Sequence, residues 1–393
     1  MKVEKIHVGG WFQRTALHLS EIYDFLKEAH SPLDLDQGKL KELHAQLSLK
    51  EVLLHVGELD RIELVTKEDI HVDIYEDGLI ILGTDTDKGG DYAKERIALL
   101  TSYYEKRLSP ALSHLFSLGA PIPKELANIK TIYPYFVVLK SAKEKDINAF
   151  LASFKEEKHF EIRTAAYDIF RGDKLYIINR KKVSPESVKR LIEEQIFIRE
   201  FKGQLHRYLN LHRSIWERIA EVKERGEIKG KDVREFNTKI ESYAKTINLI
   251  GARINQMNTY LSTRATIVEK DPHMKDFGGV LQFKHETLSD TLSYVKEIWA
   301  MTKNYVDSAK EVFSAIQAKS TEASVKNLTV ITSMGVGATL IGLFAQKVPE
   351  FTLFGLFYFI ALVIIGWSAN SIMSFVAKQR MYKIEDVEVA KDL

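Results

Sequence analysis

Residues 327–345, NLTVITSMGVGATLIGLFA, and residues 351–377, FTLFGLFYFIALVIIGWSANSIMSFVA, contain no charged side chain. Runs of this length are enough to cross a hydrocarbon core of roughly 30 Å, the second run with some tilt. We therefore predict two transmembrane helices, 327–346 and 351–377, joined by a short external loop at 347–350. The alternative is a helical hairpin buried in a soluble domain, but neither run offers a polar face to water.

Basic residues lie outside these two runs rather than between them: Lys319, Lys326, Lys378, Arg380 and Lys383. Only Lys347 lies in the loop. The positive-inside rule then predicts a multi-pass protein of the cell (inner or plasma) membrane with both termini in the cytoplasm. The first residues, 1–6, lack the apolar segment of a signal peptide.

The composition of the chain excludes several classes of function. Lys and Arg number 56 against 54 Asp and Glu, for a net charge of +2 in 393 residues. A nucleic-acid-binding protein would need a clear basic excess, so nucleic acid is not an expected partner. The chain has no cysteine, which excludes disulfides, thiolate metal sites and cysteine nucleophiles.

Residues 1–183 have the mixed pattern of an α/β domain. Short β-rich runs predict strands at 51–56, 61–66, 70–75, 79–83, 131–139 and 175–179. Helical patterns occupy about 15–28, 92–118 and 143–157. Gly9 and Gly10 lack the strand-to-helix context of a nucleotide loop, so we interpret them as turn glycines.

From residue 184 the pattern becomes helical. Ser184 and Pro185 suit the N-cap and first position of a helix that runs to about residue 225, and a turn at 226–230 leads to a second helix ending near 268. From 280 to 334 there is no Pro or Gly. Apolar or small residues recur there at the spacing of a coiled-coil seam: Leu288, Leu292, Val295, Trp299, Thr302, Val306, Ala309, Phe313 and Ile316.

This seam continues into the first uncharged run, which predicts one helix of roughly 65 residues, or about 100 Å. Such a helix needs partners for its apolar seam, either the preceding helical hairpin or copies of itself. The predicted fold is thus an α/β N-terminal cytoplasmic domain, a long α-helical stalk and two C-terminal transmembrane helices. Its parts are 1–183 (α/β), 184–279 (helical hairpin), 280–326 (stalk helix), 327–346 (first transmembrane helix), 347–350 (external loop), 351–377 (second transmembrane helix) and 378–393 (cytoplasmic tail).

Three short stretches resemble the CorA-type magnesium channel superfamily. Residues 325–331, VKNLTVI, resemble the family's "MKVLTII", residues 339–341 its "TFI", and residues 348–351, VPEF, its "MPEL". The match covers about the last 70 residues, and the rest of the chain agrees only in the order of its elements. The resemblance implies a funnel-shaped homo-oligomer, a pentamer, in a lipid bilayer, with Mg²⁺ or another divalent cation as substrate or regulator.

The chain departs from this family at its selectivity entrance. The family has Gly-Met-Asn at the outer end of the first span, whereas this chain has no such triplet and places Gln346, Lys347 and Val348 there, followed by Glu350. A ring of lysines at a narrow mouth would repel cations. The resemblance therefore implies an altered selectivity entrance at these external-loop residues.

The family's funnel would place one face of the first span on the pore axis. The pore-lining residues implied are Glu322, Val325, Leu328, Thr329, Thr332, Val336, Thr339, Leu343 and Gln346. The equally weighted alternative is that the Thr, Ser and Gly residues of this segment serve close helix packing.

Asp85, Asp87 and Asp91 begin a stretch that resembles an EF-hand loop, but Arg96 stands where the closing Glu belongs. A turn in which Asp91 caps the next helix is the favoured interpretation. CorA-type proteins use cytoplasmic carboxylates to sense divalent ions, so these three are candidate regulatory metal ligands, as are Asp73, Glu76 and Asp77.

No nucleophile–base arrangement or metal-binding histidine spacing is visible, and we predict no enzyme. The leading hypothesis is a CorA-like oligomeric channel or transporter for metal cations. One alternative is a non-conducting, membrane-anchored oligomeric scaffold or sensor. The other is an anion-conducting relative in which Lys347 would select for anions.

Overall fold

The computed structural model describes residues 2–12, 18–86, 90–115, 132, 134–224, 227–275, 277–344 and 353–383. The chain divides into two units. Unit 1 comprises Met1–Leu209 and Leu249–Lys296, and unit 2 comprises Asn210–Asn248 and Glu297–Leu393.

Unit 1 is built on a nine-stranded mixed sheet with the order β2-β3-β4-β5-β1-β6-β9-β8-β7. Its strands are β1 (Val3–Trp11), β2 (Leu49–His55), β3 (Arg61–Thr66), β4 (His71–Tyr75), β5 (Leu79–Asp85), β6 (Tyr135–Lys140), β7 (Phe160–Arg163), β8 (Tyr167–Arg171) and β9 (Leu175–Arg180). β6 and β9 pair in parallel, and the other neighbours pair antiparallel.

Five short helices lie against one face of this sheet. They are α1 (Leu19–Glu28), α2 (Gln37–Gln46), α3 (Gly90–Tyr103), α4 (Ser109–Leu115), which follows a π-helical turn, and α5 (Glu144–Ser153). Val3, Ile6 and Val8 of β1 point into the core that these helices form with the sheet, together with Phe25 and Leu100. Ile6 and Val8 share this face through the period of two of a strand, and the irregular register between Val3 and Lys5 brings Val3 to the same face.

The opposite face of the sheet packs against the unit 1 parts of three long helices: α6 (Pro185–Glu224), α7 (Val233–Lys270) and α8 (Gly278–Phe344). Trp11 is fully buried there, with ring contacts to Phe197 and Phe201 of α6 and to Tyr260 of α7. Gly9 lies inside β1, where a Cβ atom would collide with the carbonyl oxygen of Ile80. The predicted turn at Gly9 and Gly10 is therefore wrong, since close approach of two strands requires the glycine.

Unit 2 contains the remaining parts of α6, α7 and α8, together with β10 (Glu227–Lys229), α9 (Leu353–Gln379) and β11 (Met381–Lys383). β10 and β11 form a small antiparallel pair. Trp216 stacks on Tyr305 with ring centroids 4.4 Å apart, and Phe236 stacks on Phe313 at 6.2 Å. These contacts join α6 and α7 to α8 within the unit.

The apolar seam of α8 is covered within the single chain. Its members from Leu288 to Ile316 are buried, apart from the half-buried Ala309. Of the two partners that the sequence allows, the helices that precede α8 therefore supply the cover.

The predicted helices and most predicted strands are confirmed in position. Ser184 caps α6 by accepting a hydrogen bond from the backbone N–H of Ser187 at 3.0 Å, and α8 is one helix over 67 residues. The structure adds elements that the pattern did not indicate: β1, β7, β8, β10, β11 and α2.

The membrane prediction is contradicted. Over the residues that the structure describes, no helix has both the length and the apolar character needed to cross a bilayer. Three predictions are therefore wrong: the spans at 327–346 and 351–377, the CorA-like funnel, and the multi-pass placement in the cell membrane with cytoplasmic termini. The side chains described near the first segment include the exposed Glu322, Lys326 and Thr329, while those from 337 to 352 lie outside the described residues.

Several described side chains of α9 are large, apolar and exposed. They include Leu353, Phe357, Ile365, Trp367 and Phe375, each at least 64 % exposed. An apolar surface of this kind ordinarily marks a site of interaction with another molecule.

His7, in β1 at the centre of the sheet, is a buried histidine. Burial, and then the positive charges of Lys189 and Lys5, lower its pKa to about 3. In the unfolded chain the pKa returns to about 6.5, so the unfolded state takes up a proton first as the pH falls. The contribution of neutral His7 to stability is therefore present above about pH 6.5 and is lost progressively between there and pH 3.

We expect His7→Gln, which removes the titration at similar volume, to weaken the acid sensitivity of the fold. Between about pH 7.5 and about pH 4.5 the wild-type protein should lose about 2 to 3 kcal/mol more unfolding free energy than the variant does. Urea denaturation at the two pH values measures this. The exposed His206→Gln on α6 is the matched control, and equal acid sensitivity of all three proteins would show the argument to be wrong.

Candidate functional site

A fully buried arginine, Arg264 of α7, lies beside the turn between β4 and β5. Its Nε donates to Oδ2 of Asp77 at 2.7 Å and its Nη2 to Oδ1 of Asp77 at 3.1 Å. Its Nη1 donates to Oε1 of Glu194 on α6 at 3.1 Å. The fork on Asp77 is the strong bidentate form of the arginine–carboxylate pair and joins α7 to the β4–β5 turn. The third bond joins α7 to α6.

The β4–β5 turn holds Asp77 in place for this contact. Gly78 has a φ of 93°, a conformation that favours glycine, and its N–H donates to the carbonyl oxygen of Tyr75 at 3.0 Å. Oδ1 of Asp77 also accepts from the N–H of Leu79, and its backbone oxygen accepts from Nε1 of Trp11 at 2.8 Å. These contacts hold the carboxylate in one orientation, so little conformational entropy is lost when it binds Arg264.

Aromatic rings complete the surroundings of Arg264. Its guanidinium carbon lies 4.9 Å from the ring centre of Tyr75 and 5.4 Å from that of Phe197. Burial acts to lower the pKa of Arg264, but the charges of Asp77 and Glu194 outweigh burial and raise that pKa above its ordinary value. Arg264 is thus a permanently charged group with its charge compensated on two sides.

A second chain of polar contacts runs from Tyr75 along α6. The Tyr75 hydroxyl donates to Oε1 of Glu193 at 2.6 Å, and Nη1 of Arg190 donates to Oε2 of Glu193 at 2.9 Å. Nε of Arg190 lies 3.4 Å from Oδ2 of Asp271. Burial, and then the charge of Glu193, raise the pKa of Tyr75 well above its ordinary value, so that Tyr75 remains a neutral donor.

These groups line a cavity of 410 Å³. Tyr75, Glu193, Glu194 and Arg264 contribute to its lining from the sheet and the two helices, and the segments 55–59 and 267–274 supply much of the remainder. The lining carries as many carboxylates as fixed cations: Glu58, Glu193, Glu194 and Asp271 against Arg61, Arg190, Arg264 and Lys270. It offers hydrogen-bond donors and acceptors side by side, which suits a small polar ligand with both charges.

Glu194 has a second neighbour, the buried His285 of α8. Nε2 of His285 lies 3.3 Å from Oε2 of Glu194. Neither that oxygen nor either ring nitrogen of His285 has a hydrogen-bond partner among the described residues. His285 lines a different cavity, next to Met274 and Leu261.

Two of the carboxylates predicted as metal ligands belong instead to ion pairs. Asp77 pairs with Arg264, and Asp73 lies 2.8 Å from Nζ of Lys189 and 3.5 Å from Nε of Arg61. Glu76 occupies the same β4–β5 turn. The carboxylates of Asp73 and Asp77 are thus already paired with cationic side chains.

The EF-hand-like stretch is described only in part. Asp85 is exposed and lies 3.1 Å from Nζ of Lys5. Asp87 and the side chain of Asp91 lie outside the described residues. Within the described ranges no group of three His, Asp or Glu side chains could hold a metal ion, and the regulatory divalent-cation site stays a prediction.

The residues predicted to line a pore occur along the last part of α8. Glu322, Val325, Thr329, Thr332 and Val336 are exposed, and Glu322 pairs with Lys326 at 2.9 Å. For Leu328, Thr339 and Leu343 the structure describes the helical backbone and not the side chain. The external-loop residues Gln346, Lys347, Val348 and Glu350 lie outside the described residues.

The sequence contained a signal for the buried cluster that we missed. On α7 the buried positions Met257, Leu261, Arg264 and Val268 follow helical spacing, so an arginine occupies a core position. On α6 the adjacent Glu193 and Glu194 lie between the apolar pair Leu191 and Ile192 and the apolar run 196–198, and both glutamates are buried. Charged residues on the apolar stripes of two neighbouring helices predict a buried ion pair between them.

Arg264→Met should lower the free energy of unfolding of unit 1 by about 3 to 5 kcal/mol, because it leaves Asp77 and Glu194 buried without their cation. Chemical denaturation followed by near-ultraviolet circular dichroism measures the change. Lys270→Met on the same helix removes only an exposed 3.8 Å pair with Glu58 and should cost less than about 1 kcal/mol. Similar costs for both variants would contradict the role given to Arg264.

Comparison with known proteins adds no assignment, since neither a known family model nor a curated protein matches the chain in sequence. The resemblance to the CorA-type superfamily therefore stays a prediction that rests on the short stretches quoted above.

Proposed function

We propose that this protein is a non-catalytic ligand sensor in which the 410 Å³ cavity of unit 1 binds a small zwitterionic molecule such as an amino acid. One observation carries the proposal. Tyr75, Glu193, Glu194 and Arg264 both line the cavity and tie α6 and α7 to the sheet. A ligand that contacts these side chains would change how firmly the two helices are held.

The chemistry of the lining supports a ligand with both charges. The guanidinium groups of Arg61 and Arg190 can bind a carboxylate, while Glu193 and Asp271 can accept hydrogen bonds from an ammonium group. The volume lies within the usual range for small-molecule sites of about 300–1,000 Å³, toward its lower end. A compact ligand fits better than a nucleotide or a large cofactor.

A binding role is better supported than a catalytic one. The described lining contains no Ser, Thr or Cys that could serve as a nucleophile. Its one histidine, His55, is about half exposed and pairs with Glu63 at 3.0 Å. The sensor hypothesis needs no membrane anchor, whereas the channel hypothesis depended on the two spans and is not carried forward.

The proposal predicts that at least one of the twenty standard amino acids stabilises the full-length protein against thermal unfolding. At 100 times its dissociation constant such a ligand should stabilise the fold by about 2.7 kcal/mol. Arg190→Gln should weaken its binding about ten- to a hundredfold, because a charge-assisted hydrogen bond is lost. Calorimetric titration measures the affinities.

Lys202→Gln, on the exposed side of α6, is the matched control and should bind like the wild-type protein. Hydrogen exchange should show slower exchange of α6 and α7 amides within unit 1 when the ligand is bound. If no amino acid binds, or if Arg190→Gln binds as tightly as the wild-type protein, the proposal fails.

A further inference from the structure

A second cavity in unit 1, of 550 Å³, lies away from the ion cluster. One wall is the sheet surface of β6, β8 and β9, including Phe136, Tyr176 and Ile178, and the other wall is formed by Leu191 of α6 with Phe277 and Leu281. Unlike the first cavity, its walls are mainly aromatic and aliphatic. The site could hold an apolar body of substantial size.

Two cationic side chains, Lys284 and Arg171, line this apolar space. Lys284 of α8 is partly buried, and its Nζ donates to the neutral Oε1 of Gln195 at 2.9 Å. Arg171, at the end of β8, lies over the ring of Tyr176, with its guanidinium carbon 5.5 Å from the ring centre. Among the described residues, no carboxylate forms an ion pair with either group.

The remaining charges at the cavity do not compensate these cations. Asp173 is exposed and pairs with His159 at 2.9 Å at the rim. Burial, and then the neighbouring charge of Arg171, lower the pKa of Lys284. A partly buried ammonium group beside a second cation is unfavourable, and an anion placed between the two would relieve that cost.

We propose that this cavity binds an amphipathic monocarboxylate, with its apolar body against the sheet and its carboxylate between Lys284 and Arg171. The apolar walls would pack against the hydrocarbon part of this ligand, and the two uncompensated cations would bind its carboxylate. The site goes beyond the amino-acid-sensing function proposed above and shares none of its lining with the first cavity.

Calorimetric titration of the full-length protein with decanoate tests this inference. Lys284→Gln should weaken decanoate binding about tenfold or more, because it removes a charge-assisted hydrogen bond, and Arg171→Gln should weaken it by a smaller factor, because Arg171 is exposed. Lys202→Gln and Arg190→Gln should bind decanoate like the wild-type protein. Decyltrimethylammonium, which has the same chain and the opposite charge, should not bind at this site.

A second readout separates this site from unspecific binding to apolar surface. A bound carboxylate should raise the lowered pKa of Lys284, so that decanoate binding takes up protons in the pH range just below the ordinary lysine pKa. Titrations in two buffers of different ionisation enthalpy should detect this uptake in the wild-type protein and not in Lys284→Gln. Failure of decanoate to bind, or equal binding by wild-type protein and Lys284→Gln, would overturn the inference.

Discussion

The contact of Arg264 with Asp77 and Glu194 joins three elements of unit 1 at one buried point: the β4–β5 turn, α6 and α7. A guanidinium group removed from water costs several kcal/mol unless carboxylates compensate its charge at close range. Here two carboxylates do so, one from the β4–β5 turn and one from α6, while Arg264 itself belongs to α7. If apolar contact alone joined these elements, α7 could shift along its axis relative to the β4–β5 turn. The bidentate hydrogen bonds between Arg264 and Asp77 form in only one relative position of the two.

The same constraint creates the cavity beside it. Because Tyr75 and Glu193 are fixed by their hydrogen bond next to Arg264, the polar groups of this region line an open space and cannot collapse upon one another. A ligand that enters finds donors and acceptors already oriented, which reduces the entropy lost on binding. The second cavity differs because its two cations, Lys284 and Arg171, are not compensated in this way.

The sequence predicted the parts of the fold that depend on local signals. The start of α6 followed from Ser184 and Pro185, and the length of α8 from its uninterrupted seam. β1 was missed because it has charged residues and two glycines, and its place in the centre of the sheet depends on partners distant in sequence. The membrane spans were predicted from the length of two uncharged runs without a polar face, and the structure contradicts them. The ion cluster was foreseeable only in part: Arg264 stood out on an apolar stripe, but its pairing with Asp77 requires the tertiary fold.

A double-mutant cycle between Asp77→Asn and Arg264→Met tests most directly whether this one contact organises unit 1. Asparagine keeps an oxygen for the N–H of Leu79, so the turn itself is preserved while the charge is removed. The free energies of unfolding of the four proteins give the coupling between the two side chains. Our account predicts that the double variant is far less destabilised than the sum of the single variants, with a coupling of about 2 kcal/mol or more. Additivity within about 0.5 kcal/mol would contradict it.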